Sequence, residues 1–255
     1  MRSIIPIAAA VASVCAAGQA NAALVPTGAG TASITSPAVY NSVNPQPNGT
    51  IIINFDGSVN KTTIPGLSAQ LTLTFLGWSG SSYYFSYSLL NNSTIDSRVS
   101  GFAFDTSPVD AISGTAQGTF KGLTVDANYP NGVKSIDLCL SNDNGQGCSG
   151  SGGVSNTAGV NPGAGTFSLL FSGSPAPTLL NFSNFHVRYQ SINSTAGSSG
   201  TGNFVSFAPL PEPGTWGMML LGFGGMGFVL RRNTKRELHA RNTDHSTFVK
   251  KEYYL

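Results

Sequence analysis

The stretch that decides the fold is Leu71-Thr72-Leu73-Thr74-Phe75, followed by Tyr83-Tyr84-Phe85-Ser86-Tyr87-Ser88-Leu89. In the first run, apolar and polar side chains alternate strictly, so the apolar ones share one face of an extended strand. In the second run, Phe85 and Tyr87 share one face, opposite the serines that follow them. This period of two is typical of half-buried strands in an antiparallel sheet.

The same pattern recurs along the chain in short runs divided by Gly, Asn, Pro and Ser. Further strands are predicted at 50–55, 99–104, 119–125, 133–140, 166–171, 182–190 and 203–207. In the run 182–190, the alternation places Phe185, Val187 and Tyr189 inward. The residues between them, His186 and Arg188, are placed outward. Because no amphipathic helix competes, the sequence predicts an all-β fold, a single antiparallel β-sandwich of jelly-roll type.

The composition excludes several classes of protein. The 255 residues carry a formal net charge of +2, and 9% of them are charged, against about 25% in ordinary domains. Residues 23–210 hold five basic and seven acidic residues, which leaves no basic surface for nucleic acid. With 40% hydrophobic residues, the chain is too apolar for a disordered protein and too polar for one with many membrane spans.

Residues 1–22 indicate a secretory signal peptide. Arg2 supplies a positive charge, an apolar stretch follows at 4–17, and Ala20 and Ala22 are the small residues that signal peptidase requires. Cleavage after Ala22 is therefore predicted. The alternative is an uncleaved membrane anchor, which is disfavoured because the apolar stretch is shorter than the ~20 residues of a membrane span.

The C-terminal region combines three features in a fixed order. Pro211-Glu212-Pro213 comes first, an uncharged glycine-rich segment begins at Trp216, and Arg231 and Arg232 follow. As a helix, residues 216–230 would be about 22 Å long, shorter than the ~30 Å hydrocarbon core of a bilayer. The arginines favour the cytoplasmic side. The sequence thus predicts a short transmembrane helix that holds the chain in the inner membrane only transiently.

This order of features resembles the PEP-CTERM sorting signal of Gram-negative bacteria. The resemblance implies that exosortase, a membrane protease, recognises Pro211, Glu212 and Pro213, and it links the protein to exopolysaccharide and biofilm matrix. The body resembles the cistern group of PEP-CTERM proteins, a likeness that implies no enzymatic activity. The segments that carry it are 65–75, 98–104, 129–132 and 185–192, together with the cysteine pair.

These features divide the chain into five parts. They are a signal peptide (1–22), a β-sandwich domain (23–193), a Gly/Ser-rich linker (194–210), the sorting signal (211–232) and a basic cytoplasmic tail (233–255). The linker is predicted because residues 194–202 are only Ser, Thr, Ala and Gly, a composition typical of flexible tethers.

Two cysteines, Cys139 and Cys148, remain once the signal peptide is removed. They flank a turn-forming segment and enter an oxidising compartment, so a disulfide is predicted. Closing so small a loop would contribute roughly 2.5–3 kcal/mol. A metal site would need more ligands, and His186 is the single histidine of the body.

Catalytic and metal-binding candidates are few. A catalytic triad would have to use His186, which the alternation places outward, so no catalytic residue, cofactor or metal is assigned. Asp105 with Asp110, or Asp143 with its two asparagine neighbours, would supply oxygen ligands for Ca²⁺. The same residues are ordinary in turns, which is the alternative interpretation.

Aromatic side chains are the remaining candidates for ligand binding. Trp78 and Tyr129 lie beside glycine or proline turns, where an exposed ring would stack on a sugar, and core packing is the alternative. Tyr83 and Tyr84 are candidates of the same kind, and the turns make Trp78 and Tyr129 better candidates than Tyr87.

The function expected from the sequence is that of an exported, non-enzymatic protein of the cell surface or extracellular matrix. Its expected partners are signal peptidase, exosortase, the inner membrane during sorting, and exopolysaccharide. A carbohydrate-binding module for the exopolysaccharide is the alternative, and a matrix hydrolase is the third hypothesis. The expected route leads through the inner membrane and periplasm to the surface or matrix of a Gram-negative bacterium.

Overall fold

The fold is described by a computed structural model over residues 24–35, 39–45, 47–142, 148–157, 162–173 and 179–208. These residues form fifteen strands and no helix, so none of them belongs to a helix that could cross a membrane. The strands are β1 (Leu24–Gly28), β2 (Thr31–Thr35), β3 (Thr50–Phe55), β4 (Ser58–Val59), β5 (Thr62–Thr63), β6 (Ala69–Ser79), β7 (Ser82–Asn91), β8 (Arg98–Ser107), β9 (Ala111–Gly118), β10 (Gly122–Tyr129), β11 (Lys134–Ser141), β12 (Val154–Ser155), β13 (Gly163–Phe171), β14 (Leu179–Gln190) and β15 (Ser199–Phe207).

The strands join in one continuous antiparallel sheet. Its hydrogen-bonded order is β10-β11-β8-β14-β15-β3-β6-β7-β13-β9, and β1, β2, β4, β5 and β12 pair beside this path. The central link is β15, because its Gly202 pairs with Val187 of β14 and its Phe207 pairs with Ile53 of β3. The all-β antiparallel class is confirmed. The predicted sandwich is not confirmed, because the pairing runs unbroken through β15.

The alternating runs of the sequence form the hairpin β6–β7. Leu71, Leu73 and Phe75 are fully buried, whereas the threonines between them are partly exposed. Leu73 lies opposite Tyr87, and Phe75 lies opposite Phe85. The large side chains of both strands therefore lie on the inner face, where cross-strand pairs of this kind stabilise a sheet.

Aromatic rings fill the interior of the domain. Phe85 of β7 stacks on Phe167 of β13 with ring centroids 4.8 Å apart, and it meets Phe182 of β14 edge to face at 5.6 Å. The Tyr87 hydroxyl also lies in this core and accepts a hydrogen bond from the Phe120 amide at 2.8 Å. Because β7 and β14 are far apart in the strand order, the contact between Phe85 and Phe182 shows that the sheet curls around this core.

The strand β9 is not predicted by alternation, because most of its side chains are exposed. It forms through main-chain pairing with β13, from Gly118 opposite Gly165 to Ser113 opposite Leu170. A strand at the end of a sheet that is held by one neighbour needs no apolar face, so the sequence pattern gives no signal for it.

The predicted Gly/Ser-rich linker is wrong from residue 199 onward, because residues 199–207 form β15. A Cβ atom at Gly202 would come within 2.5 Å of both the Asp56 carbonyl oxygen and the Val187 side chain. Glycine is needed here for close packing and not for flexibility. The β domain therefore extends past the predicted boundary at 193, as far as Phe207.

Candidate functional site

The residues expected to guide export and sorting lie outside the described residues. They are Ala20, Ala22, Pro211, Glu212, Pro213, Trp216, Arg231 and Arg232, together with the tail 233–255. The main-chain hydrogen bonds of the domain extend to residues that are close in sequence to both of these regions. The Leu24 amide donates to the Asn48 carbonyl at 3.1 Å, and the Ala208 amide donates to the Ile52 carbonyl at 2.8 Å.

Tyr129 is not available for sugar stacking, because only 2% of its surface is exposed. It belongs to a second, small core with Ala103, and its ring centroid lies 5.9 Å from that of His186. Burial raises the pKa of its hydroxyl. The turn that follows Tyr129 reaches β15, where the Asn131 amide donates to the Ser199 hydroxyl at 3.4 Å. The β10–β11 hairpin thus packs back on the sheet and covers the ring.

Two partly exposed tyrosines, Tyr40 and Tyr84, form an aromatic pair. Tyr84 faces outward because its neighbours Tyr83 and Phe85 are buried in the core, and burial raises the pKa of Tyr83 to about 12. The Tyr40 ring stacks on the Tyr84 ring with centroids 4.0 Å apart and planes inclined by 12°. Trp78 is partly buried against the main core. Its carbonyl accepts a hydrogen bond from the Tyr40 amide at 2.7 Å, so Trp78 positions Tyr40.

Tyr40 and Tyr84 line a surface groove with a volume of about 240 Å³, which we call the tyrosine groove. Hydroxyl and amide side chains of β9 and β13 lie beside the rings. The Thr115 and Ser168 hydroxyls share a hydrogen bond of 2.8 Å, and exposed Gln117 pairs with exposed Thr166 across the two strands. An aromatic wall next to such polar groups suits a ligand with C–H faces and hydroxyls, as a sugar has.

His186 is partly buried, and its ring is held by a hydrogen bond to a neighbouring side chain. Its Nε2 donates to the Asn184 side-chain oxygen at 2.8 Å, and the Asn184 amide nitrogen donates to an Asp105 carboxylate oxygen at 2.8 Å. Desolvation lowers the pKa of His186, which favours the neutral form of the ring. The partner of its Nε2 is an amide and not a nucleophilic hydroxyl or thiol, so this arrangement orients the ring within the fold.

Asp105, one of the carboxylates considered for calcium, has structural partners. Asp105 accepts a hydrogen bond from the Asp137 amide at 3.0 Å, and Asp137 accepts one from the Thr106 amide at 2.7 Å. Burial raises the pKa of Asp137, the Thr106 hydrogen bond opposes this, and nearby carboxylates such as Asp110 add to it. Within the described ranges, no three His, Cys, Asp or Glu side chains form a metal-binding group. The other calcium candidate, Asp143, lies outside those ranges.

The predicted disulfide between Cys139 and Cys148 is confirmed, with Cα atoms 5.7 Å apart. Arg188, which the alternation places outward, is buried next to it, and its Nη1 donates to the Cys148 carbonyl at 3.1 Å. Desolvation lowers the pKa of Arg188. The prediction for Arg188 fails because a segment far away in sequence packs over this part of the sheet.

We expect the exported protein to show no free thiol until it is reduced. Replacing both Cys139 and Cys148 by serine should lower the free energy of unfolding by about 2.5–3 kcal/mol, or the melting temperature by about 5–12 °C, because the open loop gains conformational freedom in the unfolded chain. Maleimide labelling under denaturing conditions, with and without reductant, measures the thiols. Labelling of both cysteines without reductant would contradict the expectation.

Comparison with known proteins bears on the C-terminal region. The described β domain ends at residue 208. The segment with the sorting features follows directly in the sequence. Residues 209–233 match the family model of the PEP-CTERM protein-sorting motif. This match confirms the resemblance at the sorting signal and implies export, membrane-anchored sorting in a Gram-negative bacterium, and exosortase as the processing enzyme. No curated protein and no solved structure matches the chain, and the likeness to the cistern group is not confirmed.

Proposed function

We propose that the chain is a non-enzymatic protein of the cell surface or extracellular matrix, associated with exopolysaccharide and released by exosortase. The observation that carries this proposal is the position of the folded domain between the two processing signals. The strand β1 begins at Leu24, two residues after the proposed signal peptidase site at Ala22. The last main-chain hydrogen bond of the domain belongs to Ala208, three residues before Pro211.

This placement makes both cuts compatible with an intact domain. Leu24 is 1% exposed, so the first residue of β1 already belongs to the core, and a cut after Ala22 leaves it in place. A cut at 211–213 removes none of the fifteen strands. Processing would therefore deliver the complete sheet without refolding, as release of a surface or matrix protein requires.

Mass spectrometry of the mature protein from its host tests the proposal. We expect an N-terminus at Ala23, a C-terminus at or near residues 211–213, and recovery of the protein with the cell surface or the matrix. A mature chain that keeps residues 1–22, or one that keeps the tail 233–255, would contradict it. Hydrolysis of the purified matrix by the pure protein would contradict the non-enzymatic part.

The second candidate function is that of a carbohydrate-binding module, and the tyrosine groove favours it. The stacked pair Tyr40 and Tyr84 is held by the main chain of Trp78 and by the sheet, so the rings are ordered before a ligand arrives. Preordered aromatic rings lose little conformational entropy when they bind. This candidate differs from the first because it predicts direct, saturable binding to the polysaccharide.

We expect Tyr84→Ala to weaken binding to the host exopolysaccharide about tenfold, a loss of about 1.4 kcal/mol, because the stacking ring is removed. Tyr84→Phe is the matched control, since it keeps the ring and should bind as wild type. A glycan array followed by isothermal titration of the full-length protein measures both. Equal binding by wild type and Tyr84→Ala would rule out the tyrosine groove as the binding site.

A further inference from the structure

A second cleft lies between two hairpins above β15 and shares no lining residue with the tyrosine groove. Its volume is about 290 Å³. The turn of the β4–β5 hairpin, Asn60 and Lys61, forms one wall, and the turn of the β10–β11 hairpin, which includes Asn131, forms the other. Thr201 and Asn203 of β15 form the floor. We call this space the hairpin cleft.

The walls of the hairpin cleft are fixed relative to its floor. Asn60, Lys61 and Asn131 have φ angles of 50°, 67° and 59°, the left-handed region that tight hairpin turns require. The Asn60 amide nitrogen donates to the Ala196 carbonyl at 3.1 Å, and the Asn131 amide nitrogen donates to the Ser199 hydroxyl at 3.4 Å. Each turn is thus tied to the segment around β15, so the cleft is formed before a ligand binds.

The side chains that line the cleft share one chemistry, since most of them both donate and accept hydrogen bonds. They are the hydroxyls of Ser58, Thr63 and Thr201 and the amides of Asn60, Asn131 and Asn203. Sugar hydroxyls also donate and accept, so they match such a surface. Lys61 supplies the single charged group among the lining residues, and Val133 supplies an apolar contact.

Thr201 adds a separate observation that points to a ligand. The residue is 4% exposed, and its hydroxyl has no hydrogen-bond partner within the part of the chain that the structure describes. A buried hydroxyl without a partner is unfavourable. Because Thr201 also lines the floor of the cleft, a ligand oxygen bound there would serve as a partner for this hydroxyl.

We propose that the hairpin cleft binds a sugar acid, with its carboxylate on the Lys61 ammonium group and its ring hydroxyls on the asparagine and threonine side chains. A volume of about 290 Å³ lies at the small end of the ~300–1,000 Å³ range of ligand pockets, so it fits one saccharide unit. Phosphate is disfavoured, because phosphate sites combine several charged or main-chain donors. The inference goes beyond the proposed function and does not depend on the tyrosine groove.

Titration of the full-length protein with D-glucuronate, a glucuronate oligomer, D-glucose and inorganic phosphate tests the proposal. We expect both glucuronate ligands to bind, and glucose and phosphate to bind at least about tenfold more weakly, because only glucuronate offers a carboxylate and hydroxyls together. Tighter binding of the oligomer would identify a polysaccharide as the source of the ligand, and tighter binding of the monomer would identify a free sugar acid. Failure of both to bind would overturn the proposal.

Variants separate the cleft from nonspecific charge effects. Lys61→Gln should weaken glucuronate binding about tenfold or more, whereas Lys121→Gln, an equal charge change at another exposed lysine, should not. Equal losses for the two lysine variants, or no loss for Lys61→Gln at an unchanged melting temperature, would overturn the assignment of the cleft.

Discussion

Replacing Pro211, Glu212 and Pro213 by alanine will leave export intact and trap a longer, membrane-bound form that retains the tail 233–255. Export depends on the proposed signal at residues 1–22, which the change does not touch. Under the proposed function, release depends on the segment that matches the PEP-CTERM sorting motif, residues 209–233. We therefore expect near-complete loss of the released form, the largest effect that any three-residue change in this chain should have.

Membrane fractionation and immunoblotting against the domain and against the tail measure this result in the native host. The matched control replaces Lys235, Arg236 and Glu237 by alanine, an equal number of substitutions in the tail beyond the matched segment. This control should be processed as wild type. If the alanine variant of the motif matures and leaves the membrane as fast as the control, sorting does not use Pro211-Glu212-Pro213.

The proposed processing site lies close to the folded domain in sequence. The Ala208 amide is hydrogen-bonded to the Ile52 carbonyl, and residues 199–207 belong to β15. Two residues, 209 and 210, separate Ala208 from Pro211 in the sequence, and part of the Gly/Ser-rich stretch that the composition indicated as a tether belongs to β15.

Alternation of side chains predicts strands well where one face is buried in the main core. Runs such as 50–55 and 182–190 fall within β3 and β14, and Phe185 and Val187 are buried as their period requires. The same rule fails for Arg188. Arg188 is buried and donates a hydrogen bond to the Cys148 carbonyl, 40 residues away in sequence, and such contacts between distant segments leave no trace in the local pattern.

The candidate site was only partly predictable for the same reason. Tyr84 follows from the alternation in β7, because Phe85 next to it is buried. Its stacking partner Tyr40 comes from a segment without periodic pattern, and sequence offers no signal for the contact. Tyr129 was a poor choice because the hairpin that carries it packs back on the sheet. A turn next to an aromatic residue indicates exposure only when nothing else covers the turn.

A chain that ends at Ala208 is expected to fold, whereas a chain that ends at Ser198 is expected to remain unfolded. The strand β15 pairs with β14 on one side and with β3 on the other, so its loss opens the sheet at its centre. It also removes Phe207, whose ring meets that of Phe185 edge to face at 6.3 Å. Circular dichroism and thermal melting measure the difference. Equal melting temperatures for the two truncated chains would mean that β15 does not stabilise the domain and acts only as a flexible tether.

A glycine pair tests the same point without truncation. Gly202→Ala forces a methyl group to within 2.5 Å of the Asp56 carbonyl oxygen and should lower the free energy of unfolding by about 1–3 kcal/mol, as overpacking does. At Gly28, a Cβ would meet nothing within 4 Å, so Gly28→Ala should be neutral or stabilise by up to about 1 kcal/mol. If the stretch 194–202 were a flexible tether, Gly202→Ala would be as harmless as Gly28→Ala. A large loss at Gly202 alone therefore assigns this glycine to the packed interior of the sheet.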